Sequence, residues 1–270
     1  MNYQGLVTGI LADFNPLAPV VSTPLFTFSI GPWSIVVSNH MFMVTVGTLL
    51  LLIFIPLAVR ARSLVPKGSK NLIESVCLYL REEMVRPVLG KDTDRSIGFV
   101  WTLFFFILSL NLLAIIPLEK IIMLLTGREN HFGGAATGNI WITGMLAIIT
   151  FFMTHIAGIR KQGLWRYFVN LAPPAPWWIM PFIYLLEIIA ALVRPFTLAI
   201  RLFANIVAGH IVLATLIGLI LLFKSYGAAV GSLLFNLGLS ILELLIAVIQ
   251  AYIFACLSTL YIGLSVSTEH

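Results

Sequence analysis

The chain has 270 residues, of which 60% are hydrophobic and 10% charged, and its mean hydropathy is +1.03. A soluble domain carries about 25% charged residues, so the composition excludes a water-soluble globule and indicates a chain solvated mainly by lipid. The net charge of +5 does not indicate nucleic-acid binding, because the basic residues lie mainly in two short loops and do not interleave with aromatic side chains.

Three stretches of about 20 apolar residues predict membrane-spanning helices. They cover residues 40–59, 98–118 and 140–159. Residues 1–39, mildly apolar and rich in Pro, Ser and Thr, are predicted to form an external N-terminal segment. We expect residues 40–270 to form a single membrane domain, because helices bundled in a bilayer make one unit.

The basic residues predict the topology of these spans. Half of the sixteen lie between the first two spans, at Arg60, Arg62, Lys67, Lys70, Arg81, Arg86, Lys91 and Arg95. The loop at 160–166 adds three more, and the positive-inside rule places both loops in the cytoplasm. The N-terminus and the 119–139 loop then lie outside, and the C-terminus is cytoplasmic.

The first basic loop contains a helical stripe of apolar residues within 71–89. Its members recur at three- and four-residue steps: Leu72, Ile73, Val76, Cys77, Leu80, Met84 and Val88. This pattern predicts an amphipathic helix at the membrane interface. Two interpretations stay open, a surface anchor and a docking site for a partner.

Two long apolar stretches follow the Pro-rich break at 171–178. They cover 179–223 and 228–267, and residues 224–227 form a candidate turn between them. As one helix, the first stretch would be about 68 Å long, twice the hydrocarbon thickness. It must therefore tilt, kink at Pro195 or split. The pattern predicts an all-α integral membrane protein with about five membrane helices, ending in a long, tilted, polar-lined helical hairpin.

Polar groups are concentrated in this hairpin. Such groups are costly inside a membrane and usually serve a function. The first arm carries Glu187, Arg194, Arg201, Asn205 and His210, and the second carries Ser240, Glu243 and Gln250.

Helical spacing divides the polar residues into faces. Glu187, Arg194 and Arg201 recur every seven residues, and Asn205 follows four residues after Arg201 on the same side. His210 comes nine residues after Arg201 and points the opposite way. On the second arm, the Glu and Gln at 243 and 250 share a face.

The antiparallel arrangement also predicts depth. Arg201 and Gln250 lie at nearly the same distance from the turn, so they are predicted at the same depth. The same holds for His210 and Glu243, which form a second pair closer to the turn. Depth does not establish contact, because the two first-arm residues face opposite ways.

Each polar residue also has a structural interpretation. Arg194 is either an accessory functional residue or a side chain reaching the interface. His210 is either a partner of Glu243 in a proton relay or a satisfied core histidine, and Asn205 and Gln250 also suit interhelical hydrogen bonding. His40, His131, His155 and His270 are isolated in the sequence and are assigned no role. No metal-ligand spacing, nucleotide-binding loop or catalytic triad is visible, so we expect no cofactor.

Two segments of the hairpin resemble a known family. RPFTLAIRLFANIVAGH, from Arg194 to His210, and ELLIAVIQAYIFACLSTLYI, from Glu243 to Ile262, resemble the subunit a family of rotary F-type ATP synthases. SLNLLAIIPLE, from Ser109 to Glu119, is similar to its second span. TGNIWIT resembles a stretch in which the family has acidic and amide residues where this chain has Asn139 and Trp141, and Ala114 stands where the family often has an acid.

The resemblance implies a function. The chain would be a non-catalytic, ion-translocating stator subunit in a bacterial inner membrane, working with a ring of subunit c, peripheral stalk subunit b and the remaining complex, without nucleic acid. Arg201 matches the family's essential arginine. The other site residues that the resemblance implies are His210, Glu243, Gln250, Asn205 and Glu187, with Arg194, Asn111 and Ser240 as accessory positions.

Two other functions remain as hypotheses. A stand-alone secondary transporter would use Arg201 to bind an anionic substrate, but such proteins usually show internal repeats, and none is visible. A purely structural membrane scaffold is the other hypothesis, but it gives no reason for a charged residue within an apolar run. The residues themselves leave open whether the coupling ion is H⁺ or Na⁺.

Overall fold

The computed structural model of the chain describes residues 21–30, 33–59, 68–116, 118–127, 133–171, 176–223 and 226–267. Several predictions concern residues outside these ranges. They include the first 20 residues of the external segment, part of the first basic loop, part of the Pro-rich break, His131, His270 and turn residues 224–225.

Helices make up most of the described chain. They are α1 (Asn39–Val59), α2 (Ser69–Tyr79), α3 (Arg86–Leu89), α4 (Thr93–Ile115), α5 (Leu118–Thr126), α6 (Ile140–Gln162), α7 (Leu164–Val169), α8 (Met180–Phe223) and α9 (Tyr226–Val266). Within the described residues, five helical segments are long and apolar enough to cross a membrane. The predicted class, an all-α integral membrane protein, is confirmed.

A small β-hairpin precedes the first helix. Strands β1 (Pro24–Ile30) and β2 (Trp33–Ser38) pair antiparallel. The Asn39 side chain fastens the hairpin, because its Oδ1 accepts from the Thr23 amide at 3.1 Å and its Nδ2 donates to the Gly133 carbonyl at 3.0 Å. Our sequence analysis missed this hairpin, although a Gly-Pro pair between two β-prone runs is a turn signal.

The amphipathic segment contains a π-helical turn at Leu80–Val85, between α2 and α3. Ile73, Leu80 and Met84 are buried, as the stripe predicts, but Leu72 and Val88 are exposed and Leu89 is buried. A π-turn takes up more residues than an α-turn, so the buried face moves by one position beyond it. The strict α-helical periodicity was therefore wrong at the end of this stripe.

The first arm of the predicted hairpin is one uninterrupted helix. Helix α8 has 44 residues, with Pro195 inside it. At 1.5 Å per residue its length is about 66 Å, which exceeds the hydrocarbon core of a bilayer. Of the three predicted solutions, splitting of the helix is excluded.

The chain divides into two compact units. The first comprises Met1–Gly47, Leu108–Asn139 and Leu202–Ile249, and the second comprises Thr48–Ile107, Ile140–Arg201 and Gln250–His270. In the first unit, Ala114, Ala135 and Ile206 form a buried apolar cluster. In the second, Gly158 leaves room for the ring of Tyr167.

Candidate functional site: polar residues of the long helices

The predicted site residues fall into two groups, one in each unit. Asn111, Asn205, His210, Ser240 and Glu243 belong to the first unit. Glu187, Arg194, Arg201 and Gln250 belong to the second.

In the first unit, Glu243 of α9 lies directly against α8. Its carboxylate occupies the space above Gly209, where an added Cβ would lie 2.7 Å from Oε1 and 3.2 Å from Cδ. Only a glycine lets the carboxylate approach this closely. The contact falls one residue from the depth pairing that the sequence predicts for this glutamate.

The Glu243 carboxylate is buried without a hydrogen-bond partner. The residue is 8% exposed, and neither carboxylate oxygen has a partner among the described residues. The Nε2 atom of His210 is likewise buried and unpartnered in that part of the chain. The two side chains therefore share no direct hydrogen bond, and a proton passing between them needs water or a change of rotamer.

A cavity beside this carboxylate provides space for water. It has a volume of about 200 Å³ and is lined by Asn205, Gly209 and Glu243 together with apolar side chains. The volume is large enough for water, but most of the lining is apolar, so the polar groups available to hold a water there are the Glu243 oxygens and the Asn205 amide. Asn205, half-buried, therefore lines the same cavity as the glutamate.

Asn111 is the centre of a second polar contact in the first unit. The side chain is fully buried, its Nδ2 donates to the Ala247 carbonyl at 3.3 Å, and its Oδ1 accepts from the Thr137 hydroxyl at 3.0 Å. These bonds join α4, α9 and the turn before α6. Ser240, the other accessory position, donates to the Asn236 carbonyl of its own helix at 2.9 Å.

In the second unit, Arg201 lies at the midpoint of α8 and is exposed. Its guanidinium makes no ion pair or hydrogen bond with any described residue. A bare guanidinium at mid-membrane is costly in lipid. The exposure therefore indicates that water or another protein covers this side chain in the membrane.

Glu187 and Arg194 form an ion pair two turns apart on α8. The Arg194 Nη2 donates to the Glu187 Oε1 at 2.6 Å, and the guanidinium carbon lies 5.7 Å from the ring centroid of Tyr261. Arg194 therefore has partners within the protein. These contacts differ from those expected of an Arg194 side chain that only extends to the membrane interface.

Gln250 differs from Arg201 in its surroundings. It is 5% exposed, and its Nε2 has no hydrogen-bond partner within the described chain. A buried amide nitrogen without a partner is unfavourable, so the group is a candidate to bind water or an incoming polar side chain.

Two features of these sites were not predicted from the sequence. His155 was assigned no role, yet its Nδ1 lies 2.5 Å from the Tyr167 hydroxyl and its ring packs edge-on against Phe151 at 4.1 Å between centroids. The part played by Gly209 was also missed. A glycine inside a long apolar helix is itself a signal of close approach.

These observations define a multi-pass membrane protein with ionisable residues on its long helices. The sequence model of the family described as "ATP synthase A chain" matches residues 40–263. The chain belongs to this family.

Several bacterial proteins named "ATP synthase subunit a" are similar to the chain. The one from Chloroherpeton thalassium is 34% identical over 272 residues, covering 98% of this chain and 76% of that protein. The one from Anaeromyxobacter sp. (strain Fw109-5) is 38% identical over 237 residues, covering 86% of this chain and 55% of that protein. The one from Myxococcus xanthus is 39% identical over 209 residues. The chain thus spans about half of the length of the Anaeromyxobacter relative.

Proposed function

We propose that the chain is the non-catalytic stator subunit of a rotary F-type ATP synthase, with two offset half-channels that carry protons to and from a rotor carboxylate. Arg201 separates the half-channels and couples proton flow to rotation. The partners are a ring of subunit c, stalk subunit b and the remaining complex. The membrane is a bacterial inner membrane, with the N-terminus outside and the C-terminus in the cytoplasm.

The exposure of Arg201 carries this proposal. Thr197, one turn before it, is exposed, and so are Ala204 and Ala208, which follow at three- and four-residue steps. Residues at such steps share a helix face, and small residues allow a neighbouring helix to come close. A face that combines small residues with an unpaired cation suits a partner helix that carries an acid at mid-membrane.

Arginine suits this task because it keeps its proton in a low dielectric. A rotor carboxylate cannot pass through lipid in its ionised form. Opposite the guanidinium it gains a counter-charge, and its proton is released into the adjoining half-channel. The same fixed cation repels protons and prevents direct passage. The proton-motive force then supplies about 2.3 kcal/mol per charge for every 100 mV.

His210, Glu243 and Asn205 supply the half-channel that opens outward. The buried carboxylate, the neighbouring cavity and the unpartnered imidazole nitrogen support this role. A histidine and a carboxylate separated by water exchange protons readily near neutral pH. Asn111 and Ser240 are accessory residues of this path.

Glu187 and Arg194 belong to the half-channel that opens to the cytoplasm. Their ion pair lines a polar cavity of about 300 Å³ in the second unit. Gln250 assists near Arg201, at the depth that the sequence predicts for it. The two paths therefore use separate sets of residues, as coupling requires.

Proton flux in vesicles tests the proposal. The chain reconstituted with its rotor ring should conduct protons under an imposed potential, and the chain without the ring should not. Arg201→Ala should assemble with the ring, abolish ATP synthesis and leave or raise the passive leak. Arg201→Lys should also fail to support synthesis, because lysine can lose its proton when desolvated. An assembled Arg201→Ala complex that makes ATP at a near-normal rate contradicts the mechanism.

A further inference from the structure

The second unit contains a wide cavity and a narrow one, here called the continuation, which share five lining side chains. The wide part, here called the vestibule, has a volume of about 300 Å³. The continuation has a volume of about 20 Å³. The side chains shared by both are Thr154, His155, Ala191, Arg194 and Tyr261.

These volumes hold very different amounts of water. A single water needs about 10–15 Å³ of such space. The vestibule therefore accommodates a cluster of waters, and the continuation accommodates about one. Protons that move through the vestibule in bulk-like water meet a constriction where His155 and Arg194 lie. An arginine does not exchange protons in proteins, but a histidine does.

The vestibule lies toward the cytoplasmic ends of its helices, given the orientation that the basic loops predict. Gln162, at the end of α6, lines it, and His155 lies seven residues deeper, about 10 Å along the helix. The continuation is lined by Leu198, which precedes Arg201 by three residues on α8. The cavity thus extends along α8 toward Arg201.

The Tyr167 hydroxyl holds the imidazole of His155. Tyr167 is buried against α6, where an added Cβ on Gly158 would overlap its ring and lie 2.8 Å from the Ser265 carbonyl oxygen. Burial raises the pKa of the Tyr167 hydroxyl above its ordinary value, with Arg194 opposing and Glu187 adding to the change. The group therefore stays a neutral hydroxyl near pH 7 and does not form a phenolate beside a charged imidazole.

Four ionisable groups share the vestibule or continuation with the imidazole. They are Tyr167 on α7, Glu187 and Arg194 on α8, and Tyr261 on α9. Glu187 and Arg194 neutralise one another at 2.6 Å, so they leave little net charge. His155 is consequently the side chain at the constriction that can both accept and release a proton.

We propose that His155, positioned by Tyr167, transfers protons between the vestibule and the constriction on the cytoplasmic path. The Nδ1–H donates to the Tyr167 hydroxyl oxygen in both protonation states. The Nε2 atom takes the excess proton from a protonated water on one side, which becomes neutral water, and gives it to a neutral water on the other side, which becomes protonated. The imidazole is neutral before and after each transfer, and no other side chain changes charge. This inference rests on the proposed function and assigns it a further residue.

The test uses the assembled membrane sector, with chain, rotor ring and stalk, in vesicles at a fixed potential. The pH is varied at one face at a time. His155→Gln should lower proton flux by about tenfold or more, because a positioned acid–base group contributes at least this much. It should also remove the dependence of flux on cytoplasmic-face pH between about 5 and 8. The dependence on pH at the opposite face should stay unchanged.

Tyr167→Phe provides a second variant, since it keeps the ring and removes the hydroxyl. It should lower proton flux less than His155→Gln does. It should also shift the pH at which flux is half-maximal, and only when the pH is varied at the cytoplasmic face. If His155→Gln does not assemble, this variant carries the test. Phe152→Leu is the matched control on the same helix, because its side chain is 57% exposed and lines neither the vestibule nor the continuation.

The outcomes separate the two proposals. A wild-type complex without ring-dependent flux overturns the proposed function. A conducting wild-type complex whose His155→Gln form keeps normal flux overturns the relay alone. The relay is also overturned if His155→Gln lowers flux but keeps the pH dependence at both faces, because a purely structural role of His155 would give that result.

Discussion

Replacing Gly209 by alanine would place a methyl carbon where the Glu243 carboxylate now lies. The new Cβ would lie 2.7 Å from Oε1, whereas ordinary contact begins at 3.4 Å, so the carboxylate must withdraw by about 0.7 Å. Alanine itself favours a helix over glycine by up to about 1 kcal/mol, so local helix stability does not fall. The change therefore moves one functional group while keeping the helix.

We expect Gly209→Ala to slow coupled proton transport by about ten- to a hundredfold, because displacements near 1 Å cost this much where groups must be aligned. The assay is ATP synthesis under an imposed proton-motive force, normalised to assembled complex. Shortening the acid in the double variant Gly209→Ala with Glu243→Asp should recover part of the rate, since the carboxylate then withdraws from the added methyl.

Gly238→Ala is the matched control for this experiment. Its added Cβ has no atom within 4 Å in the structure, so the rate should stay near that of the wild type. A Gly209→Ala complex that assembles and synthesises ATP at the wild-type rate refutes the reasoning. The position of the carboxylate would then be irrelevant to transport.

Three further predictions concern other parts of the chain. In a cysteine-free background, a membrane-impermeant thiol reagent added outside should label Leu125→Cys and not Ser69→Cys; the opposite labelling contradicts the predicted orientation. His210→Ala and Glu243→Ala should each slow synthesis, and the double variant should lose less than the two effects combined; strictly additive losses in the logarithm of the rate argue against a shared relay. Asn111→Leu removes the acceptor of the buried Thr137 hydroxyl and an additional bond to the Ala247 carbonyl, so it should destabilise the complex by about 1–3 kcal/mol in thermal unfolding; an unchanged melting temperature contradicts this.

The sequence by itself was enough to predict the membrane class and the main helices. The thickness of the hydrocarbon core sets the length of an apolar span, and this rule needs no knowledge of neighbours. The cost of charge inside lipid also made Arg201 and Glu243 candidates for a functional role, which stays a prediction. The spacing of residues along the hairpin also predicted the depth of Glu243, and its contact with Gly209 falls one residue from the predicted depth partner, His210.

Local periodicity was less informative where the backbone departs from a regular α-helix. The π-turn moved the buried face of the amphipathic segment from Val88 to Leu89. The β-hairpin before α1 also escaped prediction, because its short strands depend on pairing with each other and on the side chain of Asn39. An analysis based on one fixed helical period predicts neither the π-turn nor the β-hairpin.

Only the tertiary structure decided which polar groups have partners and which are exposed. Helical spacing gives the direction of a side chain relative to its own helix and does not say what lies opposite. His155 therefore looked isolated in the sequence, although it contacts Tyr167, and Arg201 and Gln250 looked alike, although one is exposed and the other buried. In lipid, the different faces of an apolar helix are nearly equivalent in hydrophobicity. Close packing and hydrogen bonds between helices therefore determine which faces meet, and these depend on the tertiary structure.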